Sequence, residues 1–281
     1  MKPQDVHETV IDGARICWRE RGSGPCVVLV HGSPISSWSF RLVLSELSDR
    51  FRVVAPDLPG FGRSDKPNDG LGFTSISVLL SGFLREVAGD AYALLGHDWG
   101  GPIALAAANP EAVTDLILAN TTFRPDFAPP RYWLPFTAPY SGEALVVSAD
   151  LFGRGLPLLL SAARQDRELV DEYRRSTVAR GARRTMLRLE RQEGWAEVTS
   201  TARAWIAERR PRTLLLWGDP DPYFRSDELT WLRKEIPWAE LCRLPGGGHF
   251  PQEDAPRAFA RGLRGFLLRG AASMERSRTL V

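Results

Sequence analysis

The sequence is poor in cysteine, with three among its 281 residues. Cys17, Cys26 and Cys242 are odd in number, far apart and without metal-ligand spacing, which excludes a disulfide framework or a zinc site and favours the cytoplasm. No apolar run approaches the ~18 residues of a membrane-spanning helix. Residues 1–12 are polar and acidic, so we expect no secretory signal.

A strong excess of charge of one sign is also absent. Lys and Arg number 36, Asp and Glu 34, and the net charge is +2. Nothing therefore indicates nucleic acid or a membrane surface as a partner. The hydrophobic fraction of 43% is ample for a large core.

Short apolar runs alternate with helix-favouring segments. The runs predict a hairpin (His7–Ile11 with Arg15–Arg19) and strands at Cys26–Val30, Arg52–Ala55, Ala91–Leu95, Leu116–Ala119, Thr213–Trp217 and Glu240–Leu244. Helical spacing predicts Trp38–Leu47, Ile76–Val87 and Pro256–Leu268. This alternation indicates an α/β fold, with a mostly parallel sheet flanked by helices.

The alternation stops between the first and last thirds of the chain. Residues 123–209 are rich in Pro and aromatic residues at first and then helical and rich in Arg, with no convincing strand. An insertion of this size is too long for a structureless loop. We therefore predict a core domain from residues 1–122 and 210–281, and a helical cap from residues 123–209.

The most informative motif is Gly96-His97-Asp98-Trp99-Gly100. It has the frame of the nucleophile elbow, G-x-S-x-G, between an apolar run and an Ala-rich segment, but Asp replaces the serine. A carboxylate can displace a leaving group from saturated carbon and form an ester with the enzyme. We therefore predict that Asp98 is a nucleophile.

The partners of such a nucleophile follow in the order acid, then histidine. His249 comes after a strand and three glycines, at the sheet edge where ligands bind. Asp219 and Asp221 both follow the strand at residues 213–217. Spacing favours Asp221 as the acid that orients the imidazole, with Asp219 as the alternative.

Ser33 and Trp99 are the predicted oxyanion-hole donors, because the loop after an early strand and the residue after the nucleophile supply these N–H groups. The Trp99 indole could also hold a departing anion, since it donates and cannot accept. Aromatic residues of the cap are further substrate-contact candidates: Tyr132, Trp133, Tyr140, Tyr173 and Trp195.

These motifs resemble the α/β-hydrolase superfamily and, within it, the haloalkane dehalogenases. The resemblance spans nearly the whole chain, through His31-Gly32-Ser33-Pro34, Gly60-Phe61-Gly62-Arg63-Ser64, the Asp98 elbow, Trp217-Gly218-Asp219-Pro220-Asp221 and Gly248-His249-Phe250-Pro251. It implies that Asp98 displaces halide and that His249 then activates water to hydrolyse the ester. It also implies a small hydrophobic substrate and no metal or organic cofactor.

The resemblance leaves alternatives open. Epoxide hydrolases share the elbow and use two cap tyrosines as proton donors, of which Tyr173 is one candidate without a visible second. Many of these dehalogenases carry Asn where this chain has Ser33, so a cap residue could supply the second halide donor. A non-hydrolytic, ligand-binding or biosynthetic protein on the same scaffold is the third possibility. A monomer and a homodimer are equally compatible with the sequence.

Overall fold

A computed structural model describes residues 6–155 and 167–279 of the chain, with an eight-stranded sheet at its centre. Its strands are β1 (Val6–Ile11), β2 (Ala14–Arg21), β3 (Cys26–Val30), β4 (Arg52–Pro56), β5 (Tyr92–His97), β6 (Val113–Ala119), β7 (Thr213–Asp219) and β8 (Glu240–Pro245). Their spatial order is β1-β2-β4-β3-β5-β6-β7-β8. Strand β2 is antiparallel to β1 and β4, and all other pairs are parallel. The predicted α/β class with a mostly parallel sheet is confirmed.

The described helices follow the strands in alternation and then cluster between β6 and β7. They are α1 (Arg41–Leu47), α2 (Phe73–Phe83), α3 (Gly100–Ala107), α4 (Leu134–Thr137), α5 (Leu151–Gly155), α6 (Arg167–Val178), α7 (Arg180–Glu190), α8 (Trp195–Arg209), α9 (Ser226–Glu235), α10 (Pro251–Asp254) and α11 (Pro256–Thr279). Short 3₁₀ or π turns cover Ser37–Phe40, Leu84–Ala88, Arg131–Trp133 and Glu143–Ser148. No helix in the described ranges is long and apolar enough to cross a membrane.

Several helix boundaries differ from those expected. The predicted helix Trp38–Leu47 is a 3₁₀ turn followed by α1. Helix α2 starts three residues before Ile76, and a π turn follows it and ends at Gly89, whose φ of 81° is unfavourable for other residues. Helix α11 continues past Leu268 to Thr279. Boundaries of this kind depend on local turn geometry, which hydrophobic spacing does not encode.

Alternate side chains of the central strands face two separate cores. On strand β3, Val28 and Val30 belong to the core that packs against α2, α3 and α8. Val27 and Leu29 belong to the core that packs against α1 and α11. All four are buried, as is usual for a parallel strand covered on both faces.

The segment between β6 and β7 contains helices α4 to α8 and no strand among its described residues. Residues 156–166 of the predicted cap lie outside the described residues. Helix α8 packs on α2 and α3, whereas α7 carries residues to the carboxyl ends of the strands. Those ends are where the turns after β3, β5, β7 and β8 meet.

Candidate active site

Asp98 lies at the tip of the tight turn that joins β5 to α3. Its φ of 53° is in the left-handed region, an unusual conformation for a residue other than glycine. A Cβ on Gly96 would stand 2.5 Å from Cα of Gly101, and one on Gly32 would overlap the Asp98 carboxylate. The Asp98 amide donates to the carbonyl of Asn120 at 3.0 Å. Small neighbours therefore allow the strained turn to present the carboxylate.

His249 and Asp221 complete a line of three buried groups. Nε2 of His249 is 3.4 Å from Oδ2 of Asp98, and Nδ1 is 3.0 Å from Oδ2 of Asp221. The three residues follow β5, β7 and β8, whose carboxyl ends meet at one edge of the sheet. The imidazole thus lies between two carboxylates.

The structure places Asp221, and not Asp219, against the histidine. Oδ1 of Asp221 accepts the backbone N–H groups of Tyr223 at 2.8 Å and Phe224 at 3.0 Å, and Oδ2 also accepts the Asn120 amide at 2.8 Å. Asp219 instead pairs with Arg243 at 2.7 Å, near the surface. Both Asp221 oxygens are hydrogen-bonded, which holds the carboxylate in one orientation.

These contacts set the charge of the pair. Burial by itself would raise the pKa of Asp221, but the charge and hydrogen bond of His249, with the Asn120 and backbone donors, hold it below its usual range. Burial would lower the pKa of His249, yet Asp221 and Asp98 outweigh it and raise that pKa to about 10. With both carboxylates ionised, His249 is an imidazolium at neutral pH.

Ser33 supplies an N–H group to the nucleophile. Its backbone amide, in the loop after β3, donates to Oδ1 of Asp98 at 2.8 Å. Oδ1 is therefore held in an oxyanion-type position, and Oδ2 faces His249.

The Trp99 indole makes a contact that the sequence analysis did not anticipate. It is buried, and its Nε1 donates to Oε1 of Glu190, the last residue of α7, at 2.9 Å. Oε2 of Glu190 accepts the Trp133 indole at 2.7 Å and the Tyr223 hydroxyl at 3.0 Å. Burial outweighs these three donors and, with a smaller contribution from the charge of Asp98, raises the pKa of Glu190 to about 7.

One cavity of about 90 Å³ connects Asp98 and His249 with Glu190. Apart from Ser33 and these three groups, its walls are aromatic rings and prolines: Pro34, Tyr132, Trp133, Phe152, Pro222, Tyr223 and Phe250. A small, mostly apolar pocket with a few convergent polar groups suits a small hydrophobic ligand.

Comparison with known proteins agrees with this architecture. The model of the alpha/beta hydrolase family matches residues 27–262. Haloalkane dehalogenase 2 of Mycobacterium tuberculosis H37Rv is 31% identical over 258 residues, which cover 88% of this chain and 89% of that protein. The chain belongs to the alpha/beta hydrolase family. This hydrolase is also 28% identical to a haloalkane dehalogenase of Bradyrhizobium diazoefficiens over 293 residues, 94% of each protein.

Solved structures show the same relationship. The crystal structure of the haloalkane dehalogenase DbeA from Bradyrhizobium elkani USDA94 superimposes with a TM-score of 0.86 at 25% identity. The match covers 95% of this hydrolase and 99% of DbeA. The hydrolase is thus an enzyme similar to haloalkane dehalogenases over almost its whole length.

The predicted cap residues divide into two groups. Tyr132 and Trp133 line the cavity of the hydrolase. Tyr140 is 90% exposed and does not reach it. Tyr173 is buried elsewhere, with its hydroxyl donating to Glu253 at 2.5 Å. Trp195 packs against the Trp99 ring and donates to the carbonyl of Arg124.

Tyr140, Tyr173 and Trp195 do not line the cavity and are therefore corrections to the predicted substrate contacts. The position of a cap side chain depends on how each cap helix lies on the core, and the tyrosines alone carry no such information. Tyr173 packs with Ile35 and Phe250 in a small separate cluster of the hydrolase, where its hydroxyl finds the carboxylate partner that burial requires.

Glu190, Tyr223 and Asn120 belong to the site but are not predicted from the sequence. A signal existed for Glu190, because it continues the buried face of α7 four residues after Met186. A glutamate at such a position is buried and needs partners. Tyr223 and Asn120 carry no comparable pattern, since each follows a strand in an irregular turn of the hydrolase.

Proposed function

We propose that this hydrolase cleaves carbon–halogen bonds of small aliphatic compounds through an alkyl ester on Asp98. The observation that carries the proposal is the nucleophile geometry: one Asp98 oxygen is held by the Ser33 amide, and the other faces His249 in a mostly apolar cavity. The relatives named haloalkane dehalogenases support the same reaction class.

In the first step, Oδ2 of Asp98 bonds to the substrate carbon, and the carbon–halogen bond breaks with its electron pair on the halogen. A carboxylate needs no base for this attack, because a carboxyl group is ionised at neutral pH. The leaving halide faces the other end of the cavity, where Trp133 lines the wall and the indole N–H groups of Trp99 and Trp133 both point to Glu190.

In the second step, His249 removes a proton from a water that attacks the ester carbonyl. Ester formation neutralises Asp98 and so removes one of the two carboxylates that raise the pKa of His249. The imidazolium can then lose its proton and act as the base. The tetrahedral intermediate places its negative oxygen where the Ser33 amide donates.

The test is to trap the ester. His249→Gln removes the base but leaves Asp98 in place, so incubation with 1-bromobutane is expected to add one butyl group to Asp98 and release one equivalent of bromide. Intact-protein and peptide mass spectrometry give the position of the adduct. Wild type is expected to turn over without accumulating the adduct, and Asp98→Asn in the His249→Gln background is expected to form none. If His249→Gln releases no bromide and gains no mass from any bromoalkane that wild type hydrolyses, the two-step mechanism is wrong.

Epoxide opening is the second candidate. It is favoured by the acid at the far end of the cavity, where Glu190 is hydrogen-bonded to Tyr223 and can supply the proton that a leaving alkoxide needs. The same His249→Gln protein separates the two candidates. A hydroxyalkyl adduct from styrene oxide with none from bromoalkanes would favour the epoxide.

A further inference from the structure

The end of the cavity that faces the leaving group already holds a carboxyl group of the protein. Both oxygens of Glu190 lie where the Trp99 and Trp133 indoles converge. We propose that a halide enters this end only when Glu190 carries a proton, so that the site binds the anion and one proton together. The identity of the leaving group rests on the proposed function, but halide binding itself does not.

Hydrogen-bond donors are the first reason. The two indoles and the Tyr223 hydroxyl have one hydrogen each, and all three point to Glu190. An ionised Glu190 therefore uses the donors that a halide would need. A neutral Glu190 accepts hydrogen bonds more weakly and gains an O–H of its own. Protonation thus releases indole donors and adds one more.

Charge is the second reason. The described residues that line the cavity include no Lys or Arg. With Asp98 and Glu190 both ionised, the imidazolium of His249 is the one cation among these lining groups, and Asp221 and Asp98 already neutralise it. Adding a halide beside Glu190 would bring a further anion into a buried site, which is costly without compensation. One proton on Glu190 offsets that charge.

The pKa values of Tyr223, Tyr132 and His249, which face Glu190, lie well above neutral pH, whereas that of Glu190 lies near it. Tyr223 has a pKa raised well above its usual value by burial and by the charges of Glu190 and Asp98. Burial also raises the pKa of Tyr132, and that of His249 is about 10. Asp98 lines the same cavity as Glu190. The pKa of about 7 for Glu190 agrees with the geometric argument.

The flanks of α7 contribute no free charge at this end. Arg188 pairs with Glu193 at 2.6 Å, and Arg191 pairs with Glu143 at 2.7 Å. Both pairs are partly exposed and screened by solvent. These ion pairs therefore do not compensate the charge of a bound halide, and the proton on Glu190 is still needed for that.

The reaction balances with this proton as a spectator. In the first step the carbon–bromine bond breaks, the carbon–Oδ2 bond forms, and bromide takes the electron pair while the proton stays on Glu190. Water then hydrolyses the ester, and the overall change is R–Br + H₂O → R–OH + H⁺ + Br⁻. Bromide departs most readily when Glu190 loses its proton, because the indole N–H groups of Trp99 and Trp133 then donate to the Glu190 carboxylate again.

The experiment measures bromide binding without turnover. The full chain is titrated with sodium bromide in sulfate buffers of constant ionic strength, from about pH 5.5 to about pH 8.5. Quenching of tryptophan fluorescence, with bromide NMR line broadening as a second readout, gives the Kd. In wild type the Kd is expected to be nearly constant below about pH 6 and to rise about tenfold per pH unit above the pKa of Glu190. Glu190→Gln is expected to bind bromide with a Kd that does not change over this range.

The matched control is Glu193→Gln, which removes a carboxylate from the exposed turn that follows the same helix and should keep the wild-type profile. A wild-type Kd that is independent of pH, or a Glu190→Gln protein that keeps the wild-type slope, would overturn the proposal. Absence of bromide binding by wild type at every pH would overturn it as well. If Glu190→Gln fails to fold, the pH dependence of the bromide Kd of wild type still tests the proposal. Ester trapping in His249→Gln tests the proposed function separately, so either idea can fail alone.

Discussion

Asp98, His249 and Asp221 come from three turns that each follow a strand of one sheet, whereas Glu190 and Trp133 come from the helical segment above it. At the sheet end, neighbouring parallel strands fix the spacing of the three groups. At the other end, the cap end, the buried carboxyl of Glu190 accepts hydrogen bonds from Trp99 of the elbow, Trp133 of the cap and Tyr223 of the turn after β7.

The difference shows how one cavity can combine two kinds of site. At the sheet end, the turns that carry Asp98, Asp221 and His249 are also part of the fold, because each follows a strand of the sheet. The cap end instead depends on a single helix residue, Glu190, whose buried carboxyl accepts hydrogen bonds from Trp99, Trp133 and Tyr223. Substrate choice in this hydrolase is therefore expected to depend on α7 more than on the elbow.

The largest effect is expected at the sheet end, from Asp221→Asn. The amide cannot stabilise the imidazolium of His249 and favours the wrong tautomer, so turnover should fall about 10³- to 10⁴-fold. The loss should fall on ester hydrolysis, and the alkyl adduct on Asp98 should accumulate. Steady-state bromide release and mass spectrometry measure both.

Asp219→Asn is the control, because Asp219 pairs with Arg243 near the surface. Its turnover is expected to stay within about twofold of wild type, as is usual for a surface pair. Equal losses of turnover in Asp221→Asn and Asp219→Asn would show that Asp221 is not the acid that orients His249.

A smaller effect is expected at the cap end, on stability. The pKa of Glu190 is raised from 4.5 to about 7 in the folded protein, so its contribution to stability is fully present below about pH 4.5 and is lost as the pH rises through about 7. This shift corresponds to at most about 3 kcal/mol. Glu190→Gln should abolish this part of the pH dependence.

Urea unfolding of wild type, Glu190→Gln and Glu193→Gln at about pH 5 and about pH 8.5 measures this effect. The free energy of unfolding of wild type, relative to Glu190→Gln, should be lower at the higher pH. Glu193→Gln should follow wild type. A wild-type protein that gains stability over Glu190→Gln as the pH rises would show that Glu190 is ionised throughout.

The smallest effect concerns a single donor of the cap end. Trp133→Phe removes one hydrogen bond that favours the ionised form of Glu190, so the pKa of Glu190 should rise further, by less than about one unit. The midpoint of the pH dependence of stability reports it. Trp195→Phe, whose indole donates to a backbone carbonyl instead, should leave the midpoint unchanged. A fall in the midpoint of Trp133→Phe would mean that the indole does not stabilise the carboxylate.

The sequence by itself determined the sheet, the elbow with Asp98 and the loop with His249. Their signals are local: apolar runs, glycines where a strained turn needs them, and fixed motif spacing. It could not separate Asp219 from Asp221, because the two lie two residues apart in one turn and differ only in their tertiary partners, Arg243 and His249.

Only the tertiary structure decided which cap side chains reach the cavity. Tyr140 and Tyr173 have the same chemistry as Tyr132, but one is exposed and the other is bound to Glu253. Glu190 faces Trp99 across 91 positions of sequence. Contacts at such separations depend on how a helix packs on the core, and a buried acid acquires its proton affinity from that packing.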